Sequence, residues 1–378
     1  MAAIPRVNNF DLIRLLAASQ VVFAHVCTEV RPSAAEKMRP VLSTIWWQGD
    51  FPGVPIFFTV SGFLIYWSFE RNATQIGEFY KNRFLRIYPG LWVCFAVTIA
   101  LLIGFQQITL ATLGRSDFWG WVARQLTFFQ FGTPECFKHW GDGQVNRSLW
   151  TISIELQFYA TIPVIYYVFK RLGKLWFVGW AALFFGSIGV YLWQDHLPKG
   201  NIVHDIKELG LPSCFYNFLY GIAIYKCWDH VHLVFEGRFF LWLAAYLLFI
   251  YLMGASYAVW PYSPEPVRRI GYLILSCVTI SFAFSFRTLS ERLLRGFDIS
   301  YGVYIYHGLV LNCFIVFGWM NRWESAVMVL PVAWALGAAS WVFVERPMLR
   351  KKRKALREVP AVMPTIEEKA AVASAGAA

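Results

Sequence analysis

Long apolar runs, each broken by a short polar stretch, dominate the pattern along the chain. A helix crossing the hydrocarbon core of a bilayer needs about 20 mostly apolar residues. Ten stretches approach that length: 12–30, 51–69, 88–106, 148–169, 175–194, 212–228, 239–255, 270–286, 299–318 and 326–344. The segment 117–131 is shorter and amphipathic, which predicts a helix lying along the outer interface. In the first run Asp11 and Arg14 stand where a signal peptide would already be apolar, and no small-residue cleavage site follows. That run reads as a retained span. The pattern predicts an all-α polytopic membrane protein with about ten transmembrane helices.

Composition agrees and removes the alternatives. Hydrophobic residues make up 57% of 378 and charged residues only 15%, against about 25% charged in soluble domains. There is too little polar surface to clothe a water-soluble globule. The seven cysteines form no C-x-x-C pair, and Cys94, Cys277 and Cys313 sit inside apolar runs as small hydrophobes.

The net charge of +11 orients the chain. With the N-terminus inside, inner segments carry 20 Lys and Arg and outer loops 12, the sense expected for cytoplasmic retention of positive charge. Without the segment 346–357 the balance is 13 to 12, so the tail supplies most of the bias. Both termini are expected in the cytoplasm. No basic stretch with interleaved aromatics makes a nucleic-acid reader, so no nucleic-acid partner is expected. The bundle occupies 1–348, and 349–378 is a basic then low-complexity cytoplasmic tail, read as disordered. Its RKKRKALR stretch suits anionic lipid headgroups.

Against that apolar background, ionisable residues inside the spans mark candidate chemistry. Arg14 and His25 are eleven residues apart, which turns them to one face of the first helix with a rise of roughly 16 Å. Asp11 is three residues from Arg14 and can pair with it. Glu155 in the fourth span and His25 are expected at similar depths in the outer half, where the carboxylate would orient the imidazole. Ser300, Tyr304 and His307 form one helical stripe in the ninth span. Ser61–Gly62 in an apolar helix reads as a close-packing feature. Arg83 and Arg86, one turn apart before the third span, present two guanidinium forks suited to phosphates or to cytoplasmic anchoring. No metal-ligand spacing, Gly-rich phosphate loop or serine-hydrolase elbow is present.

These residues fall in an ordered set. Asp11, Arg14 and His25 open the chain as D-x-x-R-(x10)-H, followed by FFTVSGFLI, RFLRIYP, SLWTISIELQFY, SYGVYIYH and VERP. Together they resemble the membrane acyltransferase family 3, whose members O-acylate sugars of bacterial surface polysaccharides. The resemblance covers about 1–348. It implies Arg14 and His25 as the catalytic pair and Arg83 and Arg86 as the site of a cytoplasmic acyl-coenzyme A donor. It places Ser61, Gly62, Glu155 and Tyr301 in family motifs without fixed roles. Leu15 departs from the glycine that many relatives carry after the arginine.

The expected function is therefore an integral-membrane O-acyltransferase of the bacterial inner membrane, using acetyl-CoA as donor and no metal. Its acceptor would be a glycan hydroxyl, on a surface polysaccharide or a lipid-linked oligosaccharide, entering from outside and stacking on Trp46, Trp47 or Trp140. His25 would act as general base or carry the acyl group covalently. The rival is a proton-coupled transporter or exporter of a glycan or acyl precursor, which intramembrane Arg, His and Glu would also suit. Nothing in the sequence sets an oligomeric state.

Overall fold

The computed structural model describes residues 4–5, 7–30, 51–198, 201, 203, 207–253 and 265–350. Trp46, Trp47 and most of the basic tail lie outside the described residues. Twelve helices frame the molecule: α1 (Phe10–Glu29), α2 (Gly53–Glu70), α3 (Ile76–Gly104), α4 (Ser116–Leu126), α5 (Trp150–Leu172), α6 (Trp176–Asp195), α7 (Phe215–Lys226), α8 (Trp228–Phe235), α9 (Phe239–Met253), α10 (Glu265–Phe284), α11 (Ser300–Val316) and α12 (Val329–Ser340). α12 continues through a π-helical turn, Trp341–Glu345. No strand occurs among the described residues.

Every apolar run falls on a helix, but the runs are less uniform than the pattern suggests. Six helical stretches are long and apolar enough to cross a membrane, or seven if the pair α8 and α9, bent by 83°, is one span. α5 and α6 count together as one stretch of 49 residues. They are separated at Gly173, whose φ of +56° is a left-handed value that ends α5 without side-chain strain. α7 has 12 residues and α11 has 17, shorter than a full crossing of about 20. The amphipathic segment 117–131 forms α4 over Ser116–Leu126, which buries Phe118, Trp121 and Gln125 on one stripe. These pack with Phe95, Phe137 and Trp140.

The centre of the bundle is made by α1, α2, α5, α7 and α11, whose buried residues form one continuous apolar cluster. Two glycines allow the closest crossing within it. A Cβ on Gly62 would lie 2.1 Å from the Phe218 carbonyl oxygen, and one on Gly221 2.1 Å from that of Thr59. α2 and α7 therefore meet backbone to backbone, the packing by which small residues replace the missing hydrophobic drive in lipid. α6 and α9 lie outside this core, with Phe185, Phe240 and Tyr251 exposed. In water such a belt would be a liability, whereas in a bilayer it faces hydrocarbon.

Polar cross-links then fix the register of the central helices. Gln20 of α1 accepts a hydrogen bond from the Gly53 backbone N–H at the start of α2, 2.7 Å away. Asn9 caps the turn after α10, donating to the Ser285 carbonyl at 2.6 Å and accepting from the Ser290 N–H at 2.9 Å. Buried polar groups of this kind cost free energy unless satisfied, so they specify one arrangement of the helices.

Candidate active site

α1, α3 and α11 run in one direction and α5 in the other, which brings the singled-out residues into two levels. The first surrounds a cavity of about 90 Å³ lined by Arg14, Arg83, Arg86, Ser61, Glu155 and Tyr301, among others. Arg14 bonds Asp11 one turn earlier at 3.1 Å. Arg86 makes a 2.5 Å ion pair with Asp298, whose other oxygen accepts from the Ser300 hydroxyl at 2.6 Å. Asp298 sits just ahead of α11 and was not singled out from sequence. The two arginines of the R-x-x-R pair thus differ. Arg83 donates only a long 3.4 Å bond to Ser68, and its buried Nε has no partner. It keeps donor capacity facing a cavity, the condition for holding an anion.

Glu155 belongs to this level. Its carboxylate accepts from the Ser61 hydroxyl at 3.2 Å and from the Tyr159 hydroxyl one turn further along α5. Tyr301 donates to the Ile87 carbonyl at 2.8 Å, its ring against Gly90, where a Cβ would lie 2.8 Å from Cε1. Glu345, in the π-turn after α12, accepts from Ser340 at 3.1 Å and has one buried oxygen without a partner.

The second level lies about three turns up α1. His25 Nδ1 is 3.0 Å from His307 Nε2, and His307 Nδ1 is 2.6 Å from the Tyr304 carbonyl oxygen. A carbonyl only accepts, so His307 Nδ1 carries the hydrogen. In the neutral pair its Nε2 is then an acceptor, and His25 must donate from Nδ1. That leaves the lone pair on His25 Nε2. Between the levels, the Tyr304 hydroxyl and Thr151 hydroxyl are 2.6 Å apart.

The expected contact of His25 with Glu155 is not made. Thr151 is level with Tyr304, Glu155 lies four residues below Thr151, and His307 three residues above Tyr304. At 1.5 Å per residue this separates Glu155 from the histidine pair by about 10 Å along the bundle. Depth counted from the end of each span does not fix the relative height of two helices, which here is set by the Thr151–Tyr304 and His25–His307 contacts. The partner of His25 is His307, from the Ser300–Tyr304–His307 stripe.

The segment leading into α5, residues 141–147, is anchored on both sides of His307. Asn312 accepts from the Asp142 N–H at 2.9 Å and donates to the carbonyls of Gln144 (2.7 Å) and Val145 (3.1 Å). Gly141 faces it at φ +62°, with room for no side chain. Asn146 donates to the Ile305 carbonyl at 2.9 Å and lies against Gly308. Arg147, held by this segment, bonds Glu29 of α1 and Asp142, both at 2.8 Å. Sequence counted Arg147 only as a loop cation, and its position beside the SLWTISIELQFY motif was the available signal. Trp140, an expected stacking platform, is instead buried in the core beneath α4. Among the described residues, no group of three or more His, Cys, Asp or Glu side chains is placed to hold a metal ion.

Comparisons with known proteins agree with the motifs. A family described as "Acyltransferase domain" matches residues 7–344. Nodulation protein 10 of Rhizobium leguminosarum bv. viciae is 29% identical over 91% of this chain and 93% of its own length. An O-acetyl transferase of Shigella phage Sf6 is 27% identical over 91% and 96%. The peptidoglycan O-acetyltransferase OatA of Listeria monocytogenes is 23% identical over 90% of this chain but only 56% of its own length. No solved structure matches. The family match runs from just before Asp11 to the π-turn after α12, so the chain belongs to the membrane acyltransferase family 3 that its motifs resemble.

Proposed function

We propose that this protein is an acetyl-CoA-dependent O-acetyltransferase of the bacterial inner membrane that acetylates hydroxyls of a surface polysaccharide or lipid-linked glycan. In this reading both termini are cytoplasmic, the chain crosses the bilayer about ten times, and residues 1–348 form the acyltransferase domain ahead of a tail on anionic lipid. The observation that carries it is the His25–His307 contact, which leaves His25 Nε2 with a lone pair above the arginine-lined cavity.

The residues around that cavity fit an anionic thioester donor. Arg83 has an unpartnered Nε and faces the cavity with Arg14. At about 90 Å³ the cavity takes part of such a donor, not a whole nucleotide, so the nucleotide end would remain towards the cytoplasm. Arg83 is the leading phosphate ligand, while Arg86 is mainly held by Asp298. The acceptor hydroxyl approaches from the Arg147 side. His25 Nε2 takes its proton as the oxygen attacks the thioester carbonyl, and the coenzyme A thiolate leaves and is protonated. His307 keeps Nδ1–H of His25 directed at itself, so Nε2 stays the basic nitrogen throughout. Asp11 positions Arg14, and Glu155 with Ser61, Tyr159 and Tyr301 shapes the passage between the levels.

The relatives fit this reading, since two are named O-acetyltransferases. Reconstituted protein supplied with labelled acetyl-CoA and envelope glycan should transfer label, and His25→Ala or Arg14→Ala should abolish transfer while remaining folded and inserted. Full activity in His25→Ala would overturn the mechanism.

A further inference from the structure

A second cavity, larger than the arginine-lined one, lies beside the segment that Asn312 anchors. A space of about 380 Å³ opens between the upper part of α3, helix α4 and the segment 130–150. That is within the roughly 300–1,000 Å³ of small-molecule sites and large enough for a mono- or disaccharide unit. Its wall is mostly apolar, with Phe95, Trp121 and Trp150 among the lining residues, and Gln125, Gln130, Gln144 and Asn146 bring side-chain amides to it. Its one charged lining group, Arg147, is already neutralised by Glu29 and Asp142.

Gln125 is the informative member. It is only 5% exposed, yet its side-chain amide makes no hydrogen bond to any described residue, and it lines the cavity. Gln130, by contrast, is tied to Ser153 at 3.2 Å. A primary amide at a cavity wall with no partner among the described residues offers two donors and an acceptor together. Vicinal hydroxyls of a neutral sugar present the matching set, and the Trp150 indole offers an apolar sugar face a platform. The one charged residue in the lining is already paired, which favours a neutral ligand over a phosphate.

The cavity also touches the reacting groups through its wall. Asn146 packs on Gly308, the residue after His307. Arg147 reaches Thr28 and Glu29 on α1, one turn beyond His25. We infer that this cavity is the acceptor subsite, that it holds a neutral saccharide unit, and that the Gln125 amide sets its specificity. The inference rests on the transferase reading above and adds the place and chemistry of the acceptor.

The test uses full-length protein in nanodiscs, labelled acetyl-CoA, and mixed envelope glycans extracted from cells lacking the gene. Gln125→Leu keeps the volume and removes the amide, and Gln125→Glu replaces one donor set with a charge. Both should raise the acceptor KM at least tenfold and leave the KM for acetyl-CoA within twofold. Unchanged donor KM together with a monodisperse elution profile establishes that each variant is folded. Acceptor KM equal to wild type in both variants would overturn the subsite while leaving the transferase reading intact. Wild-type protein that transfers no acetyl group to any glycan fraction would overturn both.

Discussion

His25 and His307 are 282 residues apart in sequence and share a 3.0 Å contact between Nδ1 and Nε2. His307 is committed to the Tyr304 carbonyl on its other side, so the chain of bonds has one direction and ends on His25 Nε2. Removing the acceptor should therefore release the His25 ring and scramble its tautomers. His307→Leu should lower kcat about 10²-fold, in the range of lost acid–base catalysis, with donor KM little changed. His307→Gln supplies an amide oxygen that can accept from Nδ1–H and should recover part of the loss. A stopped acetyl-transfer assay on both variants checks this, and equal kcat for Leu and Gln would show that His307 only fills space.

The two arginines one turn apart on α3 should fail in different ways. Arg83 has unsatisfied donor capacity, so Arg83→Ala should raise the KM for acetyl-CoA about tenfold or more with little change in Tm. Arg86→Ala instead strands the partly buried carboxylate of Asp298 by removing its ion-pair partner. Its main effect should be a lower Tm, and Arg86→Ala combined with Asp298→Asn should regain much of it. Thermal unfolding by light scattering beside donor kinetics separates the two.

Gly62 sits in a motif next to Ser61, which faces the cavity, yet its own role is packing. Because a Cβ there would lie 2.1 Å from a backbone carbonyl of α7, neither rotamer change nor side-chain motion relieves the clash. Gly62→Ala should force α2 and α7 apart and sharply reduce the yield of monodisperse protein. Ser61→Ala, which loses a 3.2 Å bond to Glu155 and nothing in the crossing, should express normally.

This contrast shows what the sequence carried. Helices and their approximate ends were legible because apolar runs in a bilayer are almost forced into helices. The number of crossings was less so, because the 12-residue α7 and the 83° bend between α8 and α9 depend on tertiary packing. Within the site, the Asp11–Arg14 pair follows from a three-residue spacing that one helix fixes. The His25–His307 pair needs the relative height of two helices, which no local pattern encodes. Asn312 was visible as an amide five residues after His307 in an apolar helix, a feature that points to a buried hydrogen-bonding role. Glu155 meets Ser61 and Tyr159 instead of His25 because that relative height, too, is set by packing between helices.

Arg147 joins the segment leading into α5 to α1 and should prove the most coupled residue of the histidine level. Its guanidinium serves Glu29 and Asp142 at once, each at 2.8 Å, with different nitrogens. A lysine keeps the charge but not the planar fork, so Arg147→Lys should hold one carboxylate and lose the other, with a moderate fall in Tm. Arg147→Met leaves both uncompensated and should lower Tm further. Adding Glu29→Gln and Asp142→Asn to Arg147→Met removes the stranded charges, so Tm should recover. Acceptor KM should stay raised in the triple variant, because the segment no longer ties the amide-lined cavity to α1 beside His25. Differential scanning fluorimetry and acceptor kinetics on the same preparations check both halves. Recovery of Tm and acceptor KM together would reduce Arg147 to a stabilising ion pair.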